Sequence, residues 1–267
     1  MTEELKESIQ NPPYTGNYAD NLLRIALDIG GGLLKNGAEV RRVEFTVEKI
    51  CKAYGAVHVE VFSIHSLILA SVRLEDGSHS FQTRRILGIS NNMVRIEQYN
   101  SLSRRICEEK PEFSLIDSEI KNIKSKNSYP TWLLLFGYIL GAAGFAVFFG
   151  GTLRDALAAA LIAPVVFILD SIHFDYFNSM VKTLFMAFFA GLLSCFAAKL
   201  GFADNMNMVI VGTMMLLIPG LSLGNAMRDL LCGDTLAGSL KTVQAILSAT
   251  MIAIGYALAI MLTGGVL

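Results

Sequence analysis

Apolar positions recur with two different periods in the first half of the chain and fuse into long runs in the second. Over 17–35, Leu22, Leu23, Ile25, Ala26, Ile29, Leu33 and Leu34 follow a helical spacing. Asn36-Gly37 supplies the stop. A second helix is predicted over about 38–54, with Val40, Val43, Val47, Ile50, Cys51 and Tyr54 as its stripe and Gly55 as its end. The period then falls towards two. Val57, Val59, Val61 and Phe62 predict a strand and 66–74 a second one. Glu75-Asp76-Gly77-Ser78 is a hairpin signal leading to a return strand over 79–84. A helix follows over 93–108 with Ile96, Tyr99, Leu102 and Ile106 on one face. Together these elements predict an α+β domain over 17–128, roughly 100 residues and enough for a modest core. The polar stretch 1–16, with Pro12-Pro13, reads as a flexible arm.

From residue 129 the pattern is different. Five apolar runs, about 132–149, 153–172, 180–200, 206–223 and 238–262, are each close to the ~20 residues that cross a bilayer. Tyr129 and Trp132 are residues that favour the membrane interface. Gly137, Gly141 and Gly144 predict close helix approach, as do Ala156, Ala159, Ala160 and Ala163 in the second run. The predicted fold class is therefore an α-helical polytopic membrane protein, its membrane domain at 129–267, with an N-terminal cytoplasmic α+β domain. An odd number of spans puts the two termini on opposite sides. Lys121, Lys124, Lys126, Lys182, Arg228 and Lys241 fall inside if the N-terminus is cytoplasmic, against Arg154 and Lys199 outside. That predicts a multi-pass protein of the cell (inner) membrane with its C-terminus outside.

Composition sharpens this division. The chain of 267 residues is 53% hydrophobic with a mean hydropathy of +0.49, high for a soluble domain. No glutamate occurs after Glu119. A net charge of -1 points to no nucleic-acid partner. Cys51, Cys107, Cys195 and Cys232 form no CxxC pair and read as reduced thiols. The N-terminus lacks the apolar segment of a signal peptide. Gly30-Gly31-Gly32 lies inside a helical pattern without the GK[ST] of a phosphate loop, so helix packing is the better reading. His58, His65 and His79 lack ligand spacing. No cofactor or metal is expected.

The candidate chemistry clusters around IPGLSLGNAMRDLLCGD at 218–234. Pro219 and Gly220 break an apolar run, and Asn225, Arg228, Asp229 and Asp234 follow it directly. A helix break with charges at the membrane is costly unless it lines a cavity or a path for water. Arg228 suits a substrate carboxylate. Asp229 or Asp234 suits an ammonium or a proton. Asp155 and Asp170, fifteen positions apart, lie about 60° apart around an ideal helix and about 22 Å along it. Both fall near the alanine face and are expected to point into the bundle, although snorkelling at each span end explains them as well. In the loop that follows, His173, Asp175 and Lys182 are candidates for an inner mouth, His173 titrating near neutrality. In the soluble half, Glu39, Arg42 and Glu44 alternate in charge at a helix start; they read either as a solvated face or as a contact to the membrane half.

These segments resemble the threonine/serine exporter family, in its N-terminal half. The likeness rests on GAEVRRVEFT (37–46), CKAYGA (51–56), TRRI (83–86), SLSRRI (101–106), YPTW (129–132), GGTLRDA (150–156) and the 218–234 block, in that order. It covers nearly the whole chain after the polar arm. The resemblance implies a subunit of a secondary-active exporter of small carboxylate-bearing metabolites, threonine/serine or a dicarboxylate such as succinate, coupled to protons. It also implies a second, shorter membrane half, supplied here by a separate small membrane protein, so the chain is expected to be incomplete as a transporter. A homo-oligomer is compatible with this. Two alternatives stand beside it. One is a non-transporting membrane scaffold or sensor, against which the charged break argues. The other is an intramembrane aspartyl enzyme built on Asp170 and Asp234. Its GxGD pattern is not met, because Leu231-Cys232 precede Gly233-Asp234. The chain is therefore expected not to be an enzyme.

Overall fold

The structure is a computed structural model and describes residues 17–88, 90–125, 129–172 and 179–264. The expected arm at 1–16 lies outside the described residues, as do His173 and Asp175. The described residues fall into two compact units. One draws on Met1–Ser128 and Leu221–Thr242, the other on Tyr129–Gly220 and Val243–Leu267.

In the first unit, helix α1 (Tyr18–Lys35) is the core element. Leu22, Leu23, Ile25, Ala26, Leu27, Ile29 and Leu33 are all fully buried, so apolar contact surrounds this helix on most sides. Helix α2 (Val40–Ala53) buries the predicted stripe of Val40, Val43, Val47, Ile50 and Cys51. An antiparallel sheet of order β1-β2-β3 follows, from β1 (Ala56–Ile64), β2 (Leu67–Leu74) and β3 (His79–Arg85). Its register pairs Phe62 with Leu69 and Val72 with Ser80. Gly77, at φ +81°, allows the hairpin turn. Helix α3 (Met93–Glu109) buries Ile96, Tyr99, Leu102 and Ile106 as the spacing predicts.

The glycine run in α1 is a packing surface. A Cβ at Gly30 would stand 2.6 Å from Val47 Cγ2, and one at Gly32 would stand 2.3 Å from the Tyr99 ring. Beside it lies a buried charge network. Asp28 is 2.7 Å from Arg84 and 3.3 Å from Arg24, and Arg24 also pairs with Asp117 at 2.8 Å. Helix α4 (Phe113–Ser125) is not among the predicted elements, although Phe113, Ile116, Ile120 and Ile123 follow a helical spacing; Ile116 and Ile120 are buried and the other two pack beside them.

The second unit is built inside out. It contains α5 (Thr131–Phe148), α6 (Leu153–Ser171), α7 (Ser179–Lys199) and α8 (Met206–Met214). Its buried positions are mostly small: Ala142, Ala146, Ala159, Ala163, Ala187 and Ala190. Its outward positions are large and apolar, among them Trp132, Phe148, Leu161 and Phe196. Lipid solvates large apolar side chains, so the helices associate through small residues and close backbones. Three helices among the described residues are long and apolar enough to cross a membrane: Thr131–Phe148, Ser179–Lys199 and Thr235–Leu262.

Three expectations change here. The run at 206–223 is not one helix. Helix α8 has nine residues, about 13.5 Å at 1.5 Å per residue, well short of the ~30 Å hydrocarbon core. It ends at Met214, ahead of Pro219, and a new helix α9 (Gly220–Leu231) starts beyond the proline. The close approaches are not where the 137–144 glycines predict. Gly137 and Gly144 face open space, and Gly141 only touches Leu216. Gly212 lies on the Ala142 backbone and Gly255 on the Leu184 backbone, where a Cβ would come within 2.6 Å of a carbonyl oxygen. Finally, of the two aspartates on α6 only Asp155 points inward. It is fully buried, whereas the Asp170 side chain is 46% exposed.

Candidate functional site

Helix α9 presents Ser222, Asn225 and Asp229 at intervals of three and four, a single face of a helix, with Arg228 beside them. That face meets the turn between α1 and α2. Asn225 Nδ2 donates to the Gly37 carbonyl at 2.9 Å, and the Arg228 guanidinium forms an ion pair with Glu39. Gly37 has φ +93°, and a Cβ there would come within 2.6 Å of Asn91 Oδ1, so the turn requires glycine. Asn36 braces the same turn by donating to the Gly32 carbonyl at 2.7 Å.

The next contact is of a different kind. Helix α10 (Thr235–Leu262) follows α9 after a turn in which Gly233 has φ +94°. Lys241 Nζ donates to Asp229 Oδ2 at 2.7 Å, and the side chains are 7% and 2% exposed. Asp234 N–H donates to the Asp229 carbonyl at 2.9 Å. Asp234 Oδ2 is buried and has no hydrogen-bond partner among the described residues.

Glu44 belongs to this group. Its carboxylate accepts from Ser63 N at 2.7 Å and from Ser63 Oγ at 3.2 Å. Burial pushes the carboxyl upward, the Ser63 hydrogen bonds oppose that, and the charges of Asp234 and Asp229 add to it. Glu39, Glu44, Asn225, Arg228, Asp229 and Asp234 are thus brought into one region of the first unit. Arg42 is exposed and faces α3 instead.

The two ion pairs differ in energy. The Arg228 side chain is 59% exposed, and exposed pairs contribute about 0–1 kcal/mol. Breaking a buried pair such as Asp229–Lys241 costs about 3–5 kcal/mol. The first can be exchanged for another carboxylate; the second is a fixture.

In the second unit, the Asp170 carboxylate accepts from Tyr138 OH at 2.8 Å and lies 3.1 Å from Lys182 Nζ. Asp155 is held by donors from its own helix start and from residues 49 and 50 positions on. Its Oδ1 accepts from Asp204 N and Asn205 N at 2.8 Å each, and its Oδ2 from Thr152 N at 2.9 Å. Pro219 and Gly220 join α8 to α9, with Gly220 N–H donating to the Ile218 carbonyl at 2.8 Å. Among the described residues no group of His, Cys, Asp or Glu can hold a metal ion.

Sequence reasoning gives no site role to Lys241, Tyr138 or Ser63. A lysine inside an apolar run was a signal for the first. Nothing in the pattern marks the other two.

The family model described as "Putative threonine/serine exporter" matches residues 24–263. The chain belongs to the threonine/serine exporter family. Its members are membrane transporters, and the apolar helices of the second unit suit that role. The family match runs through both units and includes the α9 segment. A relative from Klebsiella aerogenes, named "Probable succinate transporter subunit YjjP", is 23% identical over 244 residues, covering 90% of this chain and 93% of that protein. No solved structure matches the chain.

Proposed function

We propose that this chain is one subunit of a secondary-active exporter of small carboxylate-bearing metabolites, with α9 as the inner gate. The observation that carries this reading is the exposed Arg228–Glu39 pair beside the buried Asp229–Lys241 pair. An arriving carboxylate takes Arg228 from Glu39 at little cost, since an exposed pair and a new bidentate pair are close in energy. The helix is then released from the Gly37 turn while Asp229 stays anchored. Glu44 carries the proton, because burial raises its carboxyl and favours the protonated form. Asp234, whose Oδ2 is buried without a partner among the described residues, is a second carrier. Within the membrane domain, Asp170 with Tyr138 and Lys182 is a separate candidate for the ion or substrate pathway.

Residues 17–128 form the cytoplasmic α+β domain and 129–267 the membrane domain, in the cell (inner) membrane with the N-terminus inside and the C-terminus outside. Helices α5, α6, α7 and α10 make four passes, and the fourth of the five in chain order is the short α8 together with the turn after it. The second half of the transporter is a separate small membrane protein. A dicarboxylate such as succinate is the preferred cargo: the relative's name points to it, and Arg228 supplies the carboxylate contact. Threonine or serine would need an ammonium site as well, which Glu39 provides once Arg228 has left it.

The test is reconstitution in liposomes with a pH gradient. The chain with its partner moves succinate, and the chain alone does not. Transport by the chain alone would remove the subunit reading. A cysteine placed at Leu267 that labels from the cytoplasmic side would overturn the orientation.

A further inference from the structure

Away from α9, helices α2 and α3 enclose an open groove of about 600 Å³, within the ~300–1,000 Å³ range of small-molecule sites. Helix α2 lends it one face, Arg42, Phe45 and Lys49, at intervals of three and four. Helix α3 lends Glu97, Arg104 and Cys107. Three cations and one carboxylate therefore look into one groove. Neither Arg42 nor Arg104 forms an ion pair among the described residues, and Lys49 rests 5.8 Å from the Phe45 ring centroid. Ordinary helix pairs neutralise such charges across the groove with glutamate or aspartate. Here Arg42 and Lys49 on one wall face Arg104 on the other with Glu97 the lone carboxylate in the lining, so positive charge is in excess and an entering anion offsets it.

We infer that this groove is a binding site for a small organic dianion carrying two carboxylates, separate from the Arg228 pathway. Cations on both walls favour two negative groups over one. The exposed Phe45 ring gives the carbon skeleton an apolar surface. Glu97 repels a third anionic group and would attract an ammonium. The binding does not depend on whether the protein transports the ligand.

Cys107 reports occupancy directly, because it lines the groove and is a free thiol. Burial pushes that thiol up, so maleimide labelling of the full chain in lipid nanodiscs is run at mildly alkaline pH. Peptide mass spectrometry reads Cys107 separately from Cys232. Succinate is expected to slow Cys107 labelling at least about fivefold, with inorganic phosphate and the monocarboxylate acetate needing at least about tenfold higher concentration. Arg42→Gln with Arg104→Gln should abolish the protection while leaving the ligand-free labelling rate unchanged. Glu97→Gln should lower the succinate concentration required. No protection by succinate, or protection that survives loss of both arginines, overturns the site. Equal protection by phosphate or acetate overturns the dicarboxylate assignment. None of these results bears on Arg228, whose loss is read in transport.

Discussion

Lys241 reaches Asp229 at 2.7 Å in a setting where Asp229 is 1% and Lys241 7% exposed. Removing one partner leaves the other buried and charged. Lys241→Ala is expected to destabilise the protein by about 3–5 kcal/mol, seen as a lower thermal midpoint and poor yield. Lys241→Met combined with Asp229→Asn should cost clearly less than Lys241→Ala, because no lone charge remains. Equal losses in the two variants would show that the pair does not couple.

The Arg228–Glu39 pair should behave in the opposite way. Arg228→Ala is expected to change stability by less than about 1 kcal/mol, yet reduce export at least about tenfold, because the carboxylate contact is gone. Exchanging the two charges, Arg228→Glu with Glu39→Arg, restores an ion pair but not export. Full export by the exchanged variant would mean that the pair is only a strut.

Glu44 gives a pH dependence whose sign follows from its setting. Burial, Asp234 and Asp229 raise its carboxyl above the unfolded value. The folded state therefore holds that proton more tightly, and stability is full below the unfolded pKa and falls as pH rises through the raised one. Lys241 pairs with Asp229 and tempers its push on Glu44, and Ser63 donates to the Glu44 carboxylate. Glu44→Gln keeps an acceptor for Ser63 and removes the titration. Its melting temperature should exceed that of the native protein above the raised value and match it at low pH. A difference independent of pH would remove Glu44 as a proton carrier.

Gly32→Ala tests the packing of the first unit. The added Cβ would fall 2.3 Å from the Tyr99 ring, so the ring or α1 must move, at about 1–3 kcal/mol. Denaturant unfolding of the variant reads this directly. Gly55→Ala, with open space around it but φ +91°, separates backbone strain from crowding.

Much of the first unit is legible in the sequence because its elements obey single periods. Leu22, Leu23, Ile29 and Leu33 mark α1, and Asp76-Gly77 marks the hairpin. Helix α4 is legible in Phe113, Ile116, Ile120 and Ile123, spaced three, four and three apart and all packed on the core, but it escapes prediction because the stripe is narrow and flanked by charged residues. The 206–223 run misleads because its apolar length is continuous while its backbone is not. Helix α8 gives way to tight turns, with Leu216 N–H on the Thr213 carbonyl and Leu217 N–H on the Met214 carbonyl, ahead of Pro219, which has no N–H to carry a helix through. For the site, the 218–234 block announces Arg228, Asp229 and Asp234. It cannot announce their partners. Glu39 lies 189 positions from Arg228, and a long-range pair of that kind leaves no local pattern.

The most direct test of the central claim is metabolite efflux from cells that express the chain with its partner protein, compared with cells lacking the chain. Intracellular and external succinate, threonine and serine are followed after the cells are loaded. The account predicts faster appearance of a small carboxylate outside, with succinate leading, and loss of that flux in Arg228→Ala at unchanged protein level. Identical efflux with and without the chain, for all three metabolites, would contradict it.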